Sequence, residues 1–464
     1  MKKSKRTLLF VSLLLVISIL LLYIMGNVYL GFRRTQVEFN EDELKALAVS
    51  QVNDMINDNF ASTVSVFDGK VSRQLDESGM EAAWDSIVPE LGAHIGNDSV
   101  TGSVKGSTFV VVVIEQYKHG GLQVTISYND RSEISGIYLN YANIEKELVR
   151  NEQFREEAVT IGDVYPLAGI LTIPNASEKP PVVLLVHGSG ASDKNETIYV
   201  NTPFEDLAHG LAEQGIATLR YDKRFYTYPD LATELGADIT LEDEVLEDVA
   251  FALALLANDV RVDSANIFVL GHSLGGGLTP YIASQNKNVA GIISMAGTLK
   301  PLYEISYDQN KAIEQAALDG DYDFLTTQTM KQQMKQVEKD ILILRDDLTD
   351  IPNDRILLGM SAGYQKSVKE LAGENYIDEL DLPILILQGD ADFQVSADKD
   401  FKLWENTLAS RTNVTLNLYD NLNHLMMESN GKTDVSEYQS KGTVSLEVID
   451  DIADFVSSSH SLNQ

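Results

Sequence analysis

One five-residue motif constrains the fold of this chain more than any other feature. Residues 271–275 read Gly-His-Ser-Leu-Gly and fit the pattern Gly-x-Ser-x-Gly. The apolar run at 266–270 predicts a short strand before the motif, and residues 278–284 predict a helix after it. Small residues around Ser273 allow the backbone to bend sharply between strand and helix and to expose the Oγ atom. The alternative is a glycine-rich turn whose serine only caps a helix.

The motif resembles the nucleophile elbow of α/β-hydrolases, in which the serine is followed along the chain by an aspartate or glutamate and then by a histidine. A serine hydroxyl is a weak nucleophile, so it needs a base, and the base needs a carboxylate to orient it. Two histidines follow Ser273. His460 lies in a polar tail, whereas His424 directly follows the strand predicted at 414–419. We therefore expect His424 to be the base.

The carboxylate is expected between the serine and the histidine, after another strand. Residues 383–387 predict that strand, and they run into Gln-Gly-Asp-Ala-Asp-Phe-Gln-Val at 388–395. Asp392 fits the pattern Gly-x-x-Asp-x-x-Val of the acid loop in this fold, whereas Asp390 can cap the turn. The expected catalytic residues are Ser273, Asp392 and His424.

A hydrolytic serine also needs N–H groups that hold the developing oxyanion. One expected donor is the N–H of Leu274, directly after the serine. The strand predicted at 181–186 ends in His-Gly-Ser-Gly, whose small residues let the backbone approach an oxyanion. We expect the second donor to be the N–H of Ser189, with Gly190 as the alternative. His187 and His272 are expected to be structural.

Length and composition limit the kinds of protein to which this chain can belong. A chain of 464 residues with 44% hydrophobic and 23% charged residues is expected to form two globular domains. Its formal net charge of −33 argues against nucleic acid and anionic lipid as partners. The chain has no cysteine, which excludes disulfides, thiolate metal sites and a cysteine nucleophile. The predicted reaction needs no metal and no organic cofactor.

The N-terminus predicts a membrane segment. Residues 1–34 are expected to form a cytoplasmic basic stub and a transmembrane signal-anchor, because four basic residues precede the apolar run at 8–25. The positive-inside rule then places the N-terminus in the cytoplasm. A cleaved signal peptide is the alternative, although no small-residue cleavage site follows the run. The expected location is the cell membrane, with a single pass and an extracytoplasmic catalytic domain.

Two folded regions are predicted after this segment. Residues 40–145 combine helical patterns with alternating strands and predict a small α+β domain of cystatin-like or NTF2-like type, with a spacer or binding role. Residues 155–460 alternate strands and helices, which predicts a doubly wound, mostly parallel sheet. Residues 297–379 interrupt this rhythm and predict a helical lid, in which Met330 and Met334 either pack the lid or form an adaptable acyl pocket.

Acidic residues are dense at 238–248, where a capping-box-like start precedes a helical pattern. We expect these acids to favour the helix N-terminus and to form a solvated face. A calcium site is the alternative.

The chain as a whole resembles a family of secreted or membrane-anchored bacterial α/β-hydrolases of carboxylesterase type, related to dienelactone hydrolases. Some members carry a small N-terminal domain of unknown function. The resemblance covers most of the chain from Glu41 onward, and residue by residue it implies the same catalytic trio. The chain departs from the family in Tyr281, where an arginine is common, and in the aromatic residues at 225–228, which replace a glycine-rich turn. The segments that carry the resemblance are 187–190 with 196–198, 219–224, 270–276 and 422–425 with 437–438 and 448–453.

The sequence therefore predicts a serine hydrolase that cleaves carboxylic esters through an acyl-enzyme. The expected partner is a small-molecule or lipid-like ester, and the oligomeric state is left open. A peptidase or acyltransferase that acts on cell-envelope substrates is an alternative, because this fold hosts those reactions too. A non-catalytic anchored binding protein is a third possibility.

Overall fold

The computed structural model describes residues 39–319 and 324–462 and divides them into two compact units. The first unit contains the described residues up to Lys146 together with two short segments, Ile198–Asn201 and Tyr438–Lys441. The second unit contains the remaining described residues from Glu147 onward.

The first unit is a small α+β domain built on a four-stranded antiparallel sheet. The strands lie in the order β1-β2-β3-β4, so consecutive strands are neighbours. Strand β2 alternates between core residues such as Phe109 and Val111 and half-buried residues, because successive side chains point to opposite faces of a sheet. Val200 belongs to the same core. The elements are α1 (Glu41–Ile56), α2 (Phe60–Val64), α3 (Glu77–Asp85), α4 (Val88–Leu91), β1 (His94–Lys105), β2 (Thr108–Tyr117), β3 (Gly120–Tyr128) and β4 (Ile134–Ala142).

Strand β1 has no counterpart among the strands that the sequence predicts. Its residues are mostly polar or glycine and are largely exposed. It nevertheless pairs along the length of β2, with register shifts between His94 and Gly96 and between Asn97 and Ser99. Backbone hydrogen bonds to the apolar strand β2 thus outweigh the weak preference of the β1 residues for the strand conformation.

The second unit is organised around an eight-stranded sheet with the order β14-β13-β10-β9-β7-β8-β6-β5. The strands from β14 to β8 are parallel to their neighbours, and β6 is antiparallel to β8 and β5. Strands β7 and β9 are buried throughout, as central strands covered on both faces should be. The mostly parallel, doubly wound sheet predicted for this region is therefore confirmed. The strands are β5 (Phe154–Ile161), β6 (Leu167–Pro174), β7 (Val182–Val186), β8 (Ala217–Tyr221), β9 (Ile267–His272), β10 (Val289–Met295), β13 (Ile384–Gly389) and β14 (Val414–Tyr419), and β11 and β12 form a separate hairpin.

Helices cover the sheet, and an insertion between β10 and β13 carries further helices and the small hairpin. A helix at 351–371 is one interpretation of the sequence; the structure places the hairpin in the first half of this range, where Leu358 and Gly359 take positive φ angles of 49° and 81° that make a tight turn. The helices are α5 (Pro203–Glu213), α6 (Arg224–Thr227), α7 (Pro229–Leu235), α8 (Glu247–Asn258), α9 (Leu274–Gln285), α10 (Leu302–Leu318), α11 (Phe324–Arg345), α12 (Ala362–Glu370), α13 (Lys402–Leu408) and α14 (Leu446–Leu462), and the hairpin strands are β11 (Ile356–Leu357) and β12 (Met360–Ser361).

The turn between β9 and α9 is packed directly against other backbone. A Cβ atom on Gly271 would lie 2.1 Å from the carbonyl oxygen of Gly275. A Cβ atom on Gly275 would lie 2.4 Å from the carbonyl oxygen of Val186 and 2.6 Å from that of His187. The glycines of the motif are therefore required because the turn, the start of α9 and the end of β7 approach one another too closely for any side chain.

In the described ranges 39–319 and 324–462, no helix is both long enough and apolar enough to cross a membrane. The transmembrane segment predicted at 8–25 lies outside these ranges.

We expect Gly275→Ala to lower the free energy of unfolding by about 1–3 kcal/mol or more, because its methyl group would overlap two fixed carbonyl oxygens. Chemical denaturation of the purified variant would measure the change. Gly96→Ala is the control, since a Cβ atom there meets no atom within 4 Å, and we expect it to change stability by less than about 0.5 kcal/mol. Equal effects of the two substitutions would contradict this account of the turn.

Candidate active site

Ser273 occupies the turn between β9 and α9 in a strained backbone conformation. Its φ and ψ angles are 54° and −115°, in a region that residues other than glycine rarely adopt. Its N–H donates to the carbonyl oxygen of Met295 at 2.9 Å, which ties the turn to the end of β10. The residue is half-buried and lines a cavity together with Ser189 and Leu274. The surrounding contacts thus hold the serine at the carboxyl ends of the central strands.

Asp392 and His424 are in direct contact. The Nδ1 atom of His424 lies 2.7 Å from the Oδ2 atom of Asp392. Oδ2 also accepts the side-chain amide of Gln388 at 2.9 Å, and Oδ1 accepts the N–H groups of Gln394 and Val395 at 2.7 and 2.9 Å. These contacts fix the orientation of the carboxylate.

The competing acid, Asp390, is engaged elsewhere. Its Oδ1 atom accepts the N–H of Asn421 at 2.6 Å. The structure therefore brings Asp392, and not Asp390, to the imidazole of His424, and Asp390 instead stabilises the loop that leads to it.

His272 connects the histidine loop to the serine turn. It precedes Ser273, and its Nε2 atom donates to the carbonyl oxygen of His424 at 2.9 Å. The two imidazole rings lie 4.7 Å apart between centroids. This hydrogen bond holds the backbone of the predicted base against the turn that carries the predicted nucleophile.

The ring of His272 also has an anionic neighbour. Its Nδ1 atom lies 2.9 Å from the Oε2 atom of Glu196, and both side chains are buried. Burial alone would lower the pKa of His272, but the charge of Glu196 and the hydrogen bonds to Glu196 and to the carbonyl oxygen of His424 together raise it above the ordinary value. Burial would in turn raise the pKa of Glu196, yet the attraction of His272 keeps it below the usual range. The sequence suggests only a packing role for His272, and this pair is a role it does not reveal.

The loop at 187–190 lies next to Ser273. A Cβ atom on Gly188 would lie 3.3 Å from the Cβ atom of Ser273. His187 is buried, which lowers its pKa to about 4, and the neutral ring lies 2.9 Å from the carbonyl oxygen of Asp193 through Nε2. His187 therefore holds the loop, as expected.

Two carboxylates occupy N–H groups of this loop. The N–H of Gly188 donates to Oε1 of Glu196 at 2.7 Å, and the N–H of Gly190 donates to Oε1 of Glu244 at 2.9 Å. Among the described residues, no hydrogen-bond acceptor is found for the N–H groups of Ser189 and Leu274. The two expected oxyanion donors are thus open, while the alternative donor of Gly190 is taken.

Three of the six acids at 238–248 are exposed, as predicted, but two others are not. Glu244 and Asp248 are buried rather than solvated, and they pair with Lys223 at 2.8 Å and Arg224 at 2.6 Å. In the part of the chain that the structure describes, no group of three or more histidine, aspartate or glutamate residues is arranged to hold a metal ion. These ion pairs could not be predicted from the sequence, because their partners lie more than 20 residues apart along the chain.

The cavity beside Ser273 has a volume of about 150 Å³. The insertion between β10 and β13 supplies much of its wall. Lys300 brings a charge to the cavity, and its Nζ atom lies 2.9 Å from the buried Oδ1 of Asp400, which balances that charge. Met330 and Met334 are buried but are not among the lining residues, so they pack the insertion. The apolar lining residues are Leu241, Leu274, Leu278, Pro301, Leu302, Ile305, Val368, Leu371, Ala372 and Val395.

Solved structures resemble the chain only distantly. An esterase of Pyrococcus furiosus is 15% identical, over 66% of this chain and 91% of that one, with a TM-score of 0.39. A dienelactone hydrolase of Anabaena variabilis is 18% identical, over 65% of this chain and 97% of that one, with a TM-score of 0.36. A puromycin-hydrolyzing peptidase of Mycobacterium tuberculosis is 15% identical, over 79% of this chain and 48% of that one, with a TM-score of 0.43.

Comparison of sequences is more informative. The family described as serine aminopeptidase, S33, an α/β-hydrolase family, matches residues 178–430, which is more than half of the chain. Esterase EstD of Thermotoga maritima is 32% identical over 406 residues, which cover 87% of this chain and 92% of the esterase. On the strength of these two matches, the chain belongs to the serine aminopeptidase S33 family of α/β-hydrolases, and it is a hydrolase.

Proposed function

We propose that this protein is a serine esterase that hydrolyses carboxylic esters through an acyl-enzyme. The contact between His424 and Asp392 is the observation that carries the proposal. The loop that bears His424 is hydrogen-bonded to the ring of His272, which directly precedes Ser273 in the turn. A nucleophile, a base and an orienting carboxylate are the parts that acyl transfer needs. The similarity to an esterase over nearly the whole chain supports the same reaction.

In the proposed reaction, His424 takes the proton of Ser273 through Nε2 while Oγ attacks the carbonyl carbon of the ester. The N–H groups of Leu274 and Ser189 hold the oxyanion of the tetrahedral intermediate. The intermediate collapses, the bond to the alcohol oxygen breaks, and His424 gives its proton to the departing alcohol. Water then attacks the acyl-enzyme with His424 as base, which releases the acid and restores Ser273. Asp392 orients the imidazole throughout.

We further propose that the acyl group is short and uncharged. A cavity of about 150 Å³ has room for a molecule the size of benzene, or about six non-hydrogen atoms. Its walls are mostly aliphatic, and Lys300 is already neutralised by Asp400. A long acyl chain or a second charge would not be accommodated without a change in the insertion.

Peptide hydrolysis is the second candidate, because the family is described as serine aminopeptidase. An aminopeptidase has to hold the ammonium group of its substrate, for which a carboxylate is the strongest partner. Neither aspartate nor glutamate is among the described residues that line the cavity. The lining therefore favours an ester with an aliphatic acyl group over a peptide with a free N-terminus.

The N-terminal segment carries a separate proposal about location. The basic cluster and the apolar run at 8–25 have the pattern of a signal-anchor that leaves the catalytic domain outside the cytoplasm. The expected location is the cell membrane.

Labelling with a fluorophosphonate probe tests for an activated serine. We expect the wild-type protein to be labelled and Ser273→Ala and His424→Ala to lose labelling, because the probe reacts with a serine whose proton a base removes. Ester turnover should fall by about 10⁴-fold or more in Ser273→Ala. Circular dichroism would establish that both variants are folded. Labelling or turnover retained in a folded Ser273→Ala would contradict the assignment, and an unlabelled wild type would favour a role in binding alone.

The length of the acyl chain tests the cavity. With p-nitrophenyl esters of two to twelve carbons, we expect kcat/KM to be highest at about four to six carbons, because longer chains exceed the cavity. Ala372→Leu should shift the optimum to shorter chains and Ile305→Ala to longer ones, since both residues line the wall. The leaving group is constant in this series, so changes report on the acyl side. A kcat/KM that rises steadily to twelve carbons would rule out this cavity as the acyl site.

Fractionation tests the location. In bacterial cells that produce the full-length protein, we expect it in the membrane fraction, with its catalytic domain cleaved by protease added outside intact spheroplasts. A variant that lacks residues 1–34 should be found in the cytoplasm. Recovery of the full-length protein in the soluble fraction would contradict the anchor.

A further inference from the structure

The loop at 187–190 is held by an ion pair that takes no part in the proposed reaction. The Nζ atom of Lys223 donates to the carbonyl oxygen of Gly188 at 2.8 Å and to Oε1 of Glu244 at 2.8 Å. The same glutamate oxygen accepts the N–H of Gly190 at 2.9 Å. Lys223 and Glu244, here termed the loop clamp, are both buried. The clamp therefore binds the loop on both sides of Ser189.

The geometry of the peptide group explains how the clamp sets the direction of the N–H of Ser189. The carbonyl of Gly188 and the N–H of Ser189 belong to one planar trans peptide, so they point in opposite directions. The ammonium group of Lys223 fixes the carbonyl end and thereby fixes the direction of the N–H. Gly188 would otherwise let this peptide rotate at little cost, because glycine populates more backbone conformations than other residues do.

The N–H groups of the two glycines in the loop are already used. Glu196 accepts the N–H of Gly188, and Glu244 accepts that of Gly190. We propose that the loop clamp consists of positioning residues, which orient the Gly188–Ser189 peptide so that the N–H of Ser189 serves as the oxyanion donor. This inference rests on the proposed esterase function and names the residues that set its oxyanion site.

The charges of the clamp strengthen the same donor. Burial would raise the pKa of Glu244, but Lys223, the hydroxyl of Tyr364 and the N–H of Gly190 together lower it below the usual value, so the carboxylate is ionised. A cation at the carbonyl of Gly188 polarises the peptide and makes its N–H a better donor, because hydrogen bonds on one group reinforce each other in a buried site.

The insertion is tied to the clamp. The hydroxyl of Tyr364 donates to Oε2 of Glu244 at 2.6 Å. Tyr364 belongs to α12, and Val368 of the same helix lines the cavity. The helix that forms the acyl wall therefore also holds the carboxylate that positions the oxyanion loop.

The test removes both charges of the clamp at once. Lys223→Met alone would leave Glu244 buried without a counter-charge and would destabilise the fold. The double variant Lys223→Met/Glu244→Gln avoids this and keeps an acceptor for the N–H of Gly190. With p-nitrophenyl butyrate we expect kcat to fall by about 10- to 100-fold, the loss that follows when an oxyanion donor is displaced, and KM to change less than about twofold because ground-state contacts persist.

Inhibition by a transition-state analogue tests whether the loss of kcat arises at the oxyanion site. A short aliphatic trifluoromethyl ketone accepts the Oγ of Ser273 at its carbonyl carbon and becomes a hemiketal oxyanion, while the proton passes to His424. Its inhibition constant should rise in the double variant by the same factor by which kcat/KM falls. The matched control is Glu115→Gln, which alters a buried glutamate of the first unit that accepts hydrogen bonds from His94 and Asn97. We expect this control to leave both constants unchanged.

The outcomes separate the two proposals. A folded double variant whose kcat lies within about threefold of wild type, or whose kcat falls while the inhibition constant of the ketone stays unchanged, overturns the clamp and leaves the esterase function standing. A wild-type protein that neither hydrolyses the ester nor binds the ketone overturns the esterase function itself. Thermal unfolding of each variant verifies that the kinetics refer to folded protein.

Discussion

The close approach of Gly275 to the end of β7 is the contact on which the site depends. The strand, the turn and the first turn of α9 meet backbone to backbone, and any side chain at this point would separate them. Their proximity places the N–H of Leu274 beside the loop that follows β7. A helix N-terminus leaves its first N–H groups without intrahelical partners. The site therefore uses a feature that every helix has, at a helix whose start lies against a glycine-rich loop.

Around this contact the protein buries several pairs of ionisable groups. Lys223 with Glu244, Arg224 with Asp248, and His272 with Glu196 are buried pairs. Such pairs contribute little net stability, because the loss of hydration offsets much of the attraction between the charges. These pairs instead fix local geometry, because each carboxylate is held in place by its cationic or hydrogen-bonding partner. A loop rich in glycine gains from its surroundings the rigidity that its own residues cannot supply.

How much of the fold and of the site could be predicted from the sequence depends on how far apart along the chain the interacting residues lie. The serine turn and the alternation of strands and helices follow from local patterns, and the doubly wound sheet is accordingly predicted correctly. Strand β1 is not predicted, because it forms through pairing with β2 and not through its own composition. The choice of Asp392 over Asp390 required a motif, and the structure brings that residue to His424. Glu244 has no local signature that distinguishes it from a surface acid, since its partners, Lys223, Gly190 and Tyr364, are 21, 54 and 120 residues away along the chain.

The environment of Asp392 has a consequence for the imidazole that it contacts. Its two oxygens receive N–H groups from the side chain of Gln388, the backbone of Gln394 and Val395, and the ring of His424. Four donors from separate parts of the chain thus hold the carboxylate, and it cannot turn toward one of them without giving up another. The ring of His424 therefore meets an acceptor whose position is set mainly by the acid's own loop and strand. In the proposed reaction the imidazole would thus be oriented before any substrate arrives.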